Sequence, residues 1–392
     1  MHTPRLMPMN LPPIPGALGL SRRSAAQWPL LIQQTAAEPD PANFYMRLHY
    51  QMLGLGDAEL AMDLQRQALQ HRTVFRMEGC ARPRLRLLVL MGPGGMMDNT
   101  PVDFLLDGSD VELTLLYVLP DAPWPDAVPD HDVAFVALAS SDRNDRSLHR
   151  IGQLLQHWPR PVLNRPERLE SCRRDQLGRL LGGVSGLLLP KTWRLCRADL
   201  AGWTTLPCTV RPVDTQGGQG LARIGQPHDL QDYLAQHPEA EFYVSEYIDC
   251  QGPDGLYRKC RIALIDGRAY ACHLAISSHW MVHYYSAPMT EQAALRAEEA
   301  DFMQGFDDGF GRRHAPALSE IARRMGLDYL VLDCTETQDG RLLVFEADNQ
   351  SWIHDTDPVS LFPYKPAVMR KAFMAFRRML FRAAGAFEAD GL

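Results

Sequence analysis

The chain has 392 residues, more than one typical domain needs and enough for two or three lobes with a core in each. Hydrophobic residues make up 46% and charged residues 22%, which excludes a disordered or fibrous chain. The net charge of −7 gives no electrostatic reason to expect nucleic acid or an anionic membrane as a partner. The eight cysteines (80, 172, 196, 208, 250, 260, 272 and 334) form no CxxC pair and no zinc-ligand spacing, so free thiols in a reducing compartment are expected. No apolar run approaches the ~18 residues that cross a bilayer, and the N-terminus lacks the apolar core of a secretion signal, so a cytoplasmic location is expected.

Residues 1–40 carry Pro12, Pro13, Pro15 and Pro39 among small and polar residues, and this composition predicts a mobile arm. Within residues 41–80, Phe44, Leu48, Met52, Leu60, Leu64 and Ala68 recur at helical spacing, interrupted at Gly54 and Gly56; a helix hairpin follows. Residues 85–91 (LRLLVLM), 113–119 (LTLLYVL) and 133–138 (VAFVAL) are short aliphatic runs bounded by Gly, Pro or Asp, which predicts buried strands of a parallel sheet. The segments between them and residues 147–157 can supply crossover helices, making residues 81–189 a Rossmann-like α/β lobe. Residues 165–181 read as helical, and residues 186–190 lead into the last lobe, 190–385.

Several motifs are missing. There is no GxxxxGK[ST], no HExxH and no GxSxG. Gly92, Gly94 and Gly95 follow a strand but lack the third glycine of GxGxxG, whose place Met97 takes.

Three segments of the last lobe carry chemistry. In residues 209–224 (TVRPVDTQGGQGLARI) a strand with Arg211 runs into a loop with Gly217, Gly218, Gly220 and Leu221. Glycines allow backbone amides to approach phosphate oxygens and the guanidinium forks onto the same charge; a hairpin turn needing positive φ is an equal reading of this segment alone. In residues 241–276 a strand ends at Glu246, Tyr247, Ile248 and Asp249, whose backbone can meet the edge of an adenine, and Lys259 and Arg261 share one face of the next strand. The alternative is a solvated polar face. In residues 326–357 two apolar strands deliver Asp333 and Glu346, with Asp348 and Asn349 just beyond, an all-oxygen set that suits magnesium; the alternative is a surface hairpin.

Together these residues resemble the ATP-grasp superfamily over residues 190–367, and the lobe before them resembles the domain that precedes the grasp. YRKCRIALIDGRAYACHLAIS and LLVFEADNQSWIHDTDP are similar to a bacterial branch of that superfamily, some of whose members carry N-terminal tetratricopeptide repeats. The expected fold is therefore α/β and α+β: a Rossmann-like pre-ATP-grasp lobe followed by a two-lobed ATP-grasp fold, with an N-terminal helix hairpin. The resemblance implies ATP and Mg2+ as cofactors. It makes Arg211 the phosphate-gripping cation, residues 217–221 the loop over the phosphates, and Glu246, Tyr247, Ile248 and Asp249 the adenine hinge. Lys259 and Arg261 become phosphate and intermediate contacts, and Asp333, Glu346 and Asp348 or Asn349 the metal ligands. Two positions depart from the pattern: the usual Glu-x-Asn is replaced by Glu346-x-Asp348, with Asn349 one further on, and an arginine common two residues before the first metal aspartate is Val331 here.

The implied activity is a carboxylate–amine or carboxylate–thiol ligase that forms an acyl phosphate and releases ADP and phosphate, with Arg261 donating to the oxyanion. His273, His279, Trp280, His283 and His354 fall near the implied acceptor pocket, each with an ordinary structural role as its alternative. Expected partners are small-molecule or peptide carboxylates and amines, no nucleic acid and no membrane; a homodimer is compatible. Two competing expectations are a non-catalytic ATP-binding regulator, suggested by Val331 and the altered metal triplet, and a dinucleotide-binding oxidoreductase using residues 92–95.

Overall fold

The computed structural model describes residues 4–21, 27–123 and 125–386. Its first segment differs from the expected mobile arm. Strands β1 (Arg5–Met7) and β2 (Pro13–Ile14) and helices α1 (Ala17–Ser21) and α2 (Trp28–Ala36) are built onto the lobe, with Ile14, Leu18 and Leu20 buried. Proline cannot donate to a ladder, but its carbonyl still accepts: Asn43 Nδ2 donates to the Pro12 carbonyl (3.1 Å) and Arg47 Nη2 to that of Pro13 (2.6 Å). Residues 1–3 and 22–26 of the expected arm lie outside the described residues.

Helix α3 (Pro41–Leu55) starts where the Asp40 carboxylate accepts from the amides of Ala42 and Asn43, and it ends at Gly56, whose φ of 83° gives the left-handed C-cap. Helix α4 (Ala58–His71) follows at once, capped by Asp57. Then come β3 (Val74–Met77), β4 (Leu85–Met91), α5 (Val102–Leu105), β5 (Val111–Tyr117), β6 (Ala127–Pro129), β7 (Val133–Val136), α6 (Asp145–Leu155) and β8 (Val162–Leu163). The sheet order is β2-β3-β5-β4-β7-β8, parallel from β5 to β8 and antiparallel between β3 and β5, while β1 pairs with β6. The helical stretch expected over 165–181 is broken into α7 (Pro166–Leu169), a 3-10 turn and α8 (Arg174–Leu181), because Arg173 takes an extended backbone (ψ 138°).

The remainder forms two sheets. After the short strand β9 (Leu187–Leu188), strand β10 (Thr192–Cys196), helix α9 (Arg197–Ala201), strands β11 (Cys208–Pro212) and β12 (Ala222–Ile224), helix α10 (Pro227–Gln236) and strand β13 (Glu241–Glu246) give an antiparallel sheet ordered β10-β13-β11-β12. It has its own small core, including Leu200, Val210, Phe242 and Val244. The chain continues through β14 (Tyr257–Ile265), β15 (Arg268–Ser277), α11 (Ala293–Gln304), α12 (Phe310–Arg313), α13 (Ala315–Met325), β16 (Tyr329–Glu336), β17 (Leu342–Asp348) and α14 (Lys365–Ala383). The second sheet runs β15-β14-β16-β17-β9, and its core is continuous with that of the α/β lobe. Phe135, Tyr329 and Phe376 meet edge to face at this junction, with centroids 5.3 to 6.3 Å apart.

A buried asparagine locks the same junction. Asn164, fully buried at a φ of 51°, accepts from the Tyr329 amide and donates to the Tyr329 carbonyl, both at 2.8 Å, while its own amide donates to Asp328 (2.7 Å). Asn164→Ala would strand both Tyr329 groups and put alanine in a left-handed backbone. Chemical denaturation should show a loss of about 2–4 kcal/mol.

Candidate functional site

A cavity of about 540 Å³ lies between the four-stranded and five-stranded sheets, within the range of small-molecule sites. Its floor is one transverse row of the larger sheet. His273 on β15 is the register partner of Arg261 on β14, Arg261 of Asp333 on β16, and Asp333 of Glu346 on β17. The register slips immediately beside this row, leaving Cys272 in β15 and Phe345 in β17 without a counterpart. Such bulges re-aim neighbouring side chains, and here they flank the residues that line the cavity.

The row is densely charged. Asp333, with a side chain 1% exposed, is held by Lys259 Nζ (2.9 Å) and by Arg261 through Nε (2.8 Å) and Nη2 (3.0 Å). Burial alone would raise its pKa; Arg261 and Lys259 outweigh that and hold the carboxyl well below its usual range. Glu346 is likewise held below the usual range, with burial opposed chiefly by its ion pair to Arg174 on α8. Arg211 on β11 differs. It is 7% exposed, its Nε donates to Thr215 Oγ1 (3.1 Å) and its Nη2 to the Thr215 carbonyl, and among the described residues no carboxylate stands within ion-pair reach. Burial, and then the neighbouring Arg174, pull its pKa down to about 9. Among the described residues, Arg174, Arg211, Arg258, Lys259 and Arg261 thus line the cavity against Glu246, Asp333 and Glu346, which leaves an excess of positive charge.

The glycine loop sits over this charge. Gly217, Gly218 and Gly220 have φ of 59°, 79° and 65°, and a Cβ on Gly220 would strike Pro212 at 2.7 Å. Gly217, Gly218 and Leu221 line the cavity, whereas Gly220 serves the turn and its carbonyl accepts from Tyr233 Oη (2.7 Å). At the other end of the cavity lie Glu246, Tyr247 and Ile248, with the Arg223 guanidinium 4.0 Å over the Tyr247 ring. Asp249 does not line the cavity and instead accepts from the Gln251 amide (3.1 Å). His273, Trp280, His283 and His354 line it, while His279 turns away to accept from the Met281 amide (3.2 Å).

The expected oxygen set separates. Asp333 and Glu346 line the cavity; Asp348 and Asn349 do not. Asp348 faces a smaller polar chamber behind Glu346, where it accepts from the amides of Gln350 (3.1 Å) and Ser351 (2.6 Å) and from Ser351 Oγ (2.9 Å). Asn349 is fully buried toward the α/β lobe, donating to the Leu138 carbonyl (3.1 Å), so its expectation as a metal ligand is corrected: three positions past Glu346, it falls on the opposite face of the chain. Among the described residues no group of three His, Cys, Asp or Glu side chains is gathered for a metal ion. The Asp333–Glu346 pair still fits magnesium, which needs only one or two carboxylates when phosphate and water complete its shell. Sequence reasoning missed Arg174, which lies 172 residues before its partner Glu346 and carries no motif, and also Trp352 and Tyr285.

Asp348 generates a pH test. Burial and then Glu346 push its pKa up to about 6, above its unfolded value, so its contribution to stability is greatest in acid and is lost as pH rises through 6. Asp348→Asn keeps the acceptor and removes the charge. Urea unfolding should find this variant more stable than the parent at pH 8, by up to roughly 3 kcal/mol, with the difference vanishing near pH 4.

No protein-family model matches the chain. Among solved structures it is similar to a RimK domain ATP-grasp protein from Sphaerobacter thermophilus, at 18% identity over 74% of this chain and 98% of that one, with a TM-score of 0.41. It is similar also to the ATP complex of D-alanine–D-alanine ligase from Bacillus anthracis (14% identity, 79% and 100% covered, TM-score 0.46) and to the VanG D-Ala:D-Ser ligase of Enterococcus faecalis (12%, 77% and 98%, 0.46). At these identities and TM-scores the likenesses assign no role to any residue, and the roles of individual residues rest on the geometry of this chain alone.

Proposed function

We propose that this chain is an ATP- and magnesium-dependent carboxylate–amine ligase that works through an acyl phosphate. The observation that carries the reading is Arg211: a guanidinium almost wholly buried, with no carboxylate within ion-pair reach among the described residues and facing a cavity under a glycine loop, is a group that an incoming anion would stabilise. The surplus of cations over carboxylates in the same cavity suits a polyphosphate. The strand end at Glu246, Tyr247 and Ile248 supplies backbone groups for the base.

In this reading Arg211, Arg174 and the amides of Gly217 and Gly218 bind the phosphates, and the loop excludes water. Asp333 and Glu346 would hold magnesium, which when bound neutralises charge on the transferred phosphoryl group. A substrate carboxylate oxygen attacks the terminal phosphorus, the bond to the ADP oxygen breaks, and ADP leaves with that electron pair. The amine nitrogen then attacks the acyl carbon, the carbon–oxygen bond to phosphate breaks, and the amine proton passes to solvent. Arg261, fixed by Asp333 and the Trp352 carbonyl, donates to the oxyanion between these two events.

A second reading is a nucleotide-binding regulator without acyl transfer. It is favoured by the double engagement of Asp333, whose two oxygens are already taken by Lys259 and Arg261. Product analysis separates the two. With pooled carboxylates and amines the ligase yields ADP and phosphate, and hydroxylamine intercepts the acyl phosphate as a hydroxamate. A regulator binds MgATP and releases no ADP; AMP with pyrophosphate would refute terminal phosphoryl transfer.

Two outcomes are expected of the phosphate end. MgATP should raise the melting temperature of the wild-type protein, as a ligand of the native state does, and an unchanged value at millimolar nucleotide rejects the reading. Arg211→Lys should keep kcat/KM for ATP within about tenfold, while Arg211→Ala should lose about a hundredfold or more; equal and mild losses in both would place Arg211 outside the phosphate site.

A further inference from the structure

Past Arg261 the cavity changes character. Arg261 Nη1 donates to the Trp352 carbonyl (2.8 Å), and from there the wall is built of rings. His273 stacks on Tyr284 with centroids 4.4 Å apart, the edge of Tyr284 meets Tyr285 at 5.9 Å, and Tyr285 lies within 12° of parallel to His354. The rings are anchored from behind: Tyr284 Oη donates to Asp357 (2.9 Å), Asp357 pairs with Lys365 (2.7 Å), and Trp352 Nε1 donates to the Met96 carbonyl (3.0 Å).

This wall offers no free charge. Burial holds the imidazoles of His273, His283 and His354 below their usual range, so they are neutral near pH 7. Lys365 is 2% exposed and already balanced by Asp357 and Glu299. Among the described residues of this wall, an acidic second group on a substrate would find no open cation, and an ammonium no open carboxylate. Tyr285, in contrast, is 70% exposed although it packs against His283 and His354, so it presents a ring face at the mouth of the cavity.

We propose that this end of the cavity seats the aromatic ring of a carboxylate substrate, with its carboxylate turned toward Arg261 and Lys259. A flat ring between Trp352 and the Tyr284–Tyr285 edge gains area and stacking without needing a counter-ion. A carboxylate one or two bonds away from that ring meets Arg261, the register partner of His273, and Lys259, two residues before it on the same strand. The orientation rests on the reading of the cavity as an acyl-activating site; the ring preference rests on the wall itself.

The test is a melting-temperature titration of the full chain in the presence of ADP with phenylacetate, acetate, glutarate and 2-phenylethylamine. Phenylacetate alone should raise the wild-type melting temperature at millimolar concentration, and in Tyr285→Ser its apparent affinity should fall about three- to tenfold. Because Tyr285 is exposed, that variant should melt near the wild-type temperature without ligand; His354→Gln, which keeps a polar side chain of similar size, provides the second measurement and should weaken phenylacetate in the same direction. The proposal is overturned if acetate or glutarate matches phenylacetate, if 2-phenylethylamine does, if phenylacetate produces no shift, or if both variants bind it as the wild type does. A phenylacetate shift in protein that shows none with MgATP would refute the nucleotide reading while upholding the aromatic subsite.

Discussion

The site depends on a single constraint: a transverse row of charged side chains buried in a β-sheet must be paired along its whole length. Arg261, Asp333 and Glu346 occupy neighbouring strands; Lys259 and Arg261 hold Asp333, and Arg174 holds the adjacent Glu346. Each ion would be costly to bury alone, and removing one member strands the next. The two register slips beside the row are the structural counterpart of that constraint, since a regular pleat would send alternate residues to the other face.

Charge balance then separates the cavity into regions. At the carboxylate row Asp333 is met by Lys259 and Arg261 within the sheet and Glu346 by Arg174 from α8, whereas Arg211 on the opposite sheet has no carboxylate within ion-pair reach among the described residues. The four-stranded sheet that carries Arg211 and the glycine loop has a core of its own, while the five-stranded sheet shares one with the α/β lobe. The anion that Arg211 calls for would therefore connect two separately packed units. Beyond the row, the ring wall is neutral because burial disfavours imidazolium and because Lys365 is matched by Asp357 and Glu299.

Asn349 and Asp348 illustrate how polar residues next to a reactive row can be taken up by architecture. Asn349 stitches the end of β17 to the carbonyls closing β7, and Asp348 caps the turn that follows its strand. Asn164 does comparable work at the start of β16. All three sit at strand ends, where ladder partners run out and backbone groups need side chains to complete their hydrogen bonds.

Local chemistry was legible in the sequence because its signals are short-ranged. Aliphatic runs such as 85–91 read as buried strands, Gly56 marked the break between adjoining helices, and the glycines at 217, 218 and 220 announced a loop with positive φ. The sequence also placed Arg261 and Lys259 two apart, hence on one face of a strand. What it could not contain was register between strands distant along the chain: only tertiary structure decided that Arg261 faces Asp333, that Arg174 reaches Glu346, and that Asn349 turns toward the α/β lobe. The proline-rich N-terminal segment was misread for the same reason. Its composition describes what it can bury by itself, whereas its strands pair with β6 and β3 and its proline carbonyls accept from Asn43 and Arg47 on α3, all partners that lie later in the chain.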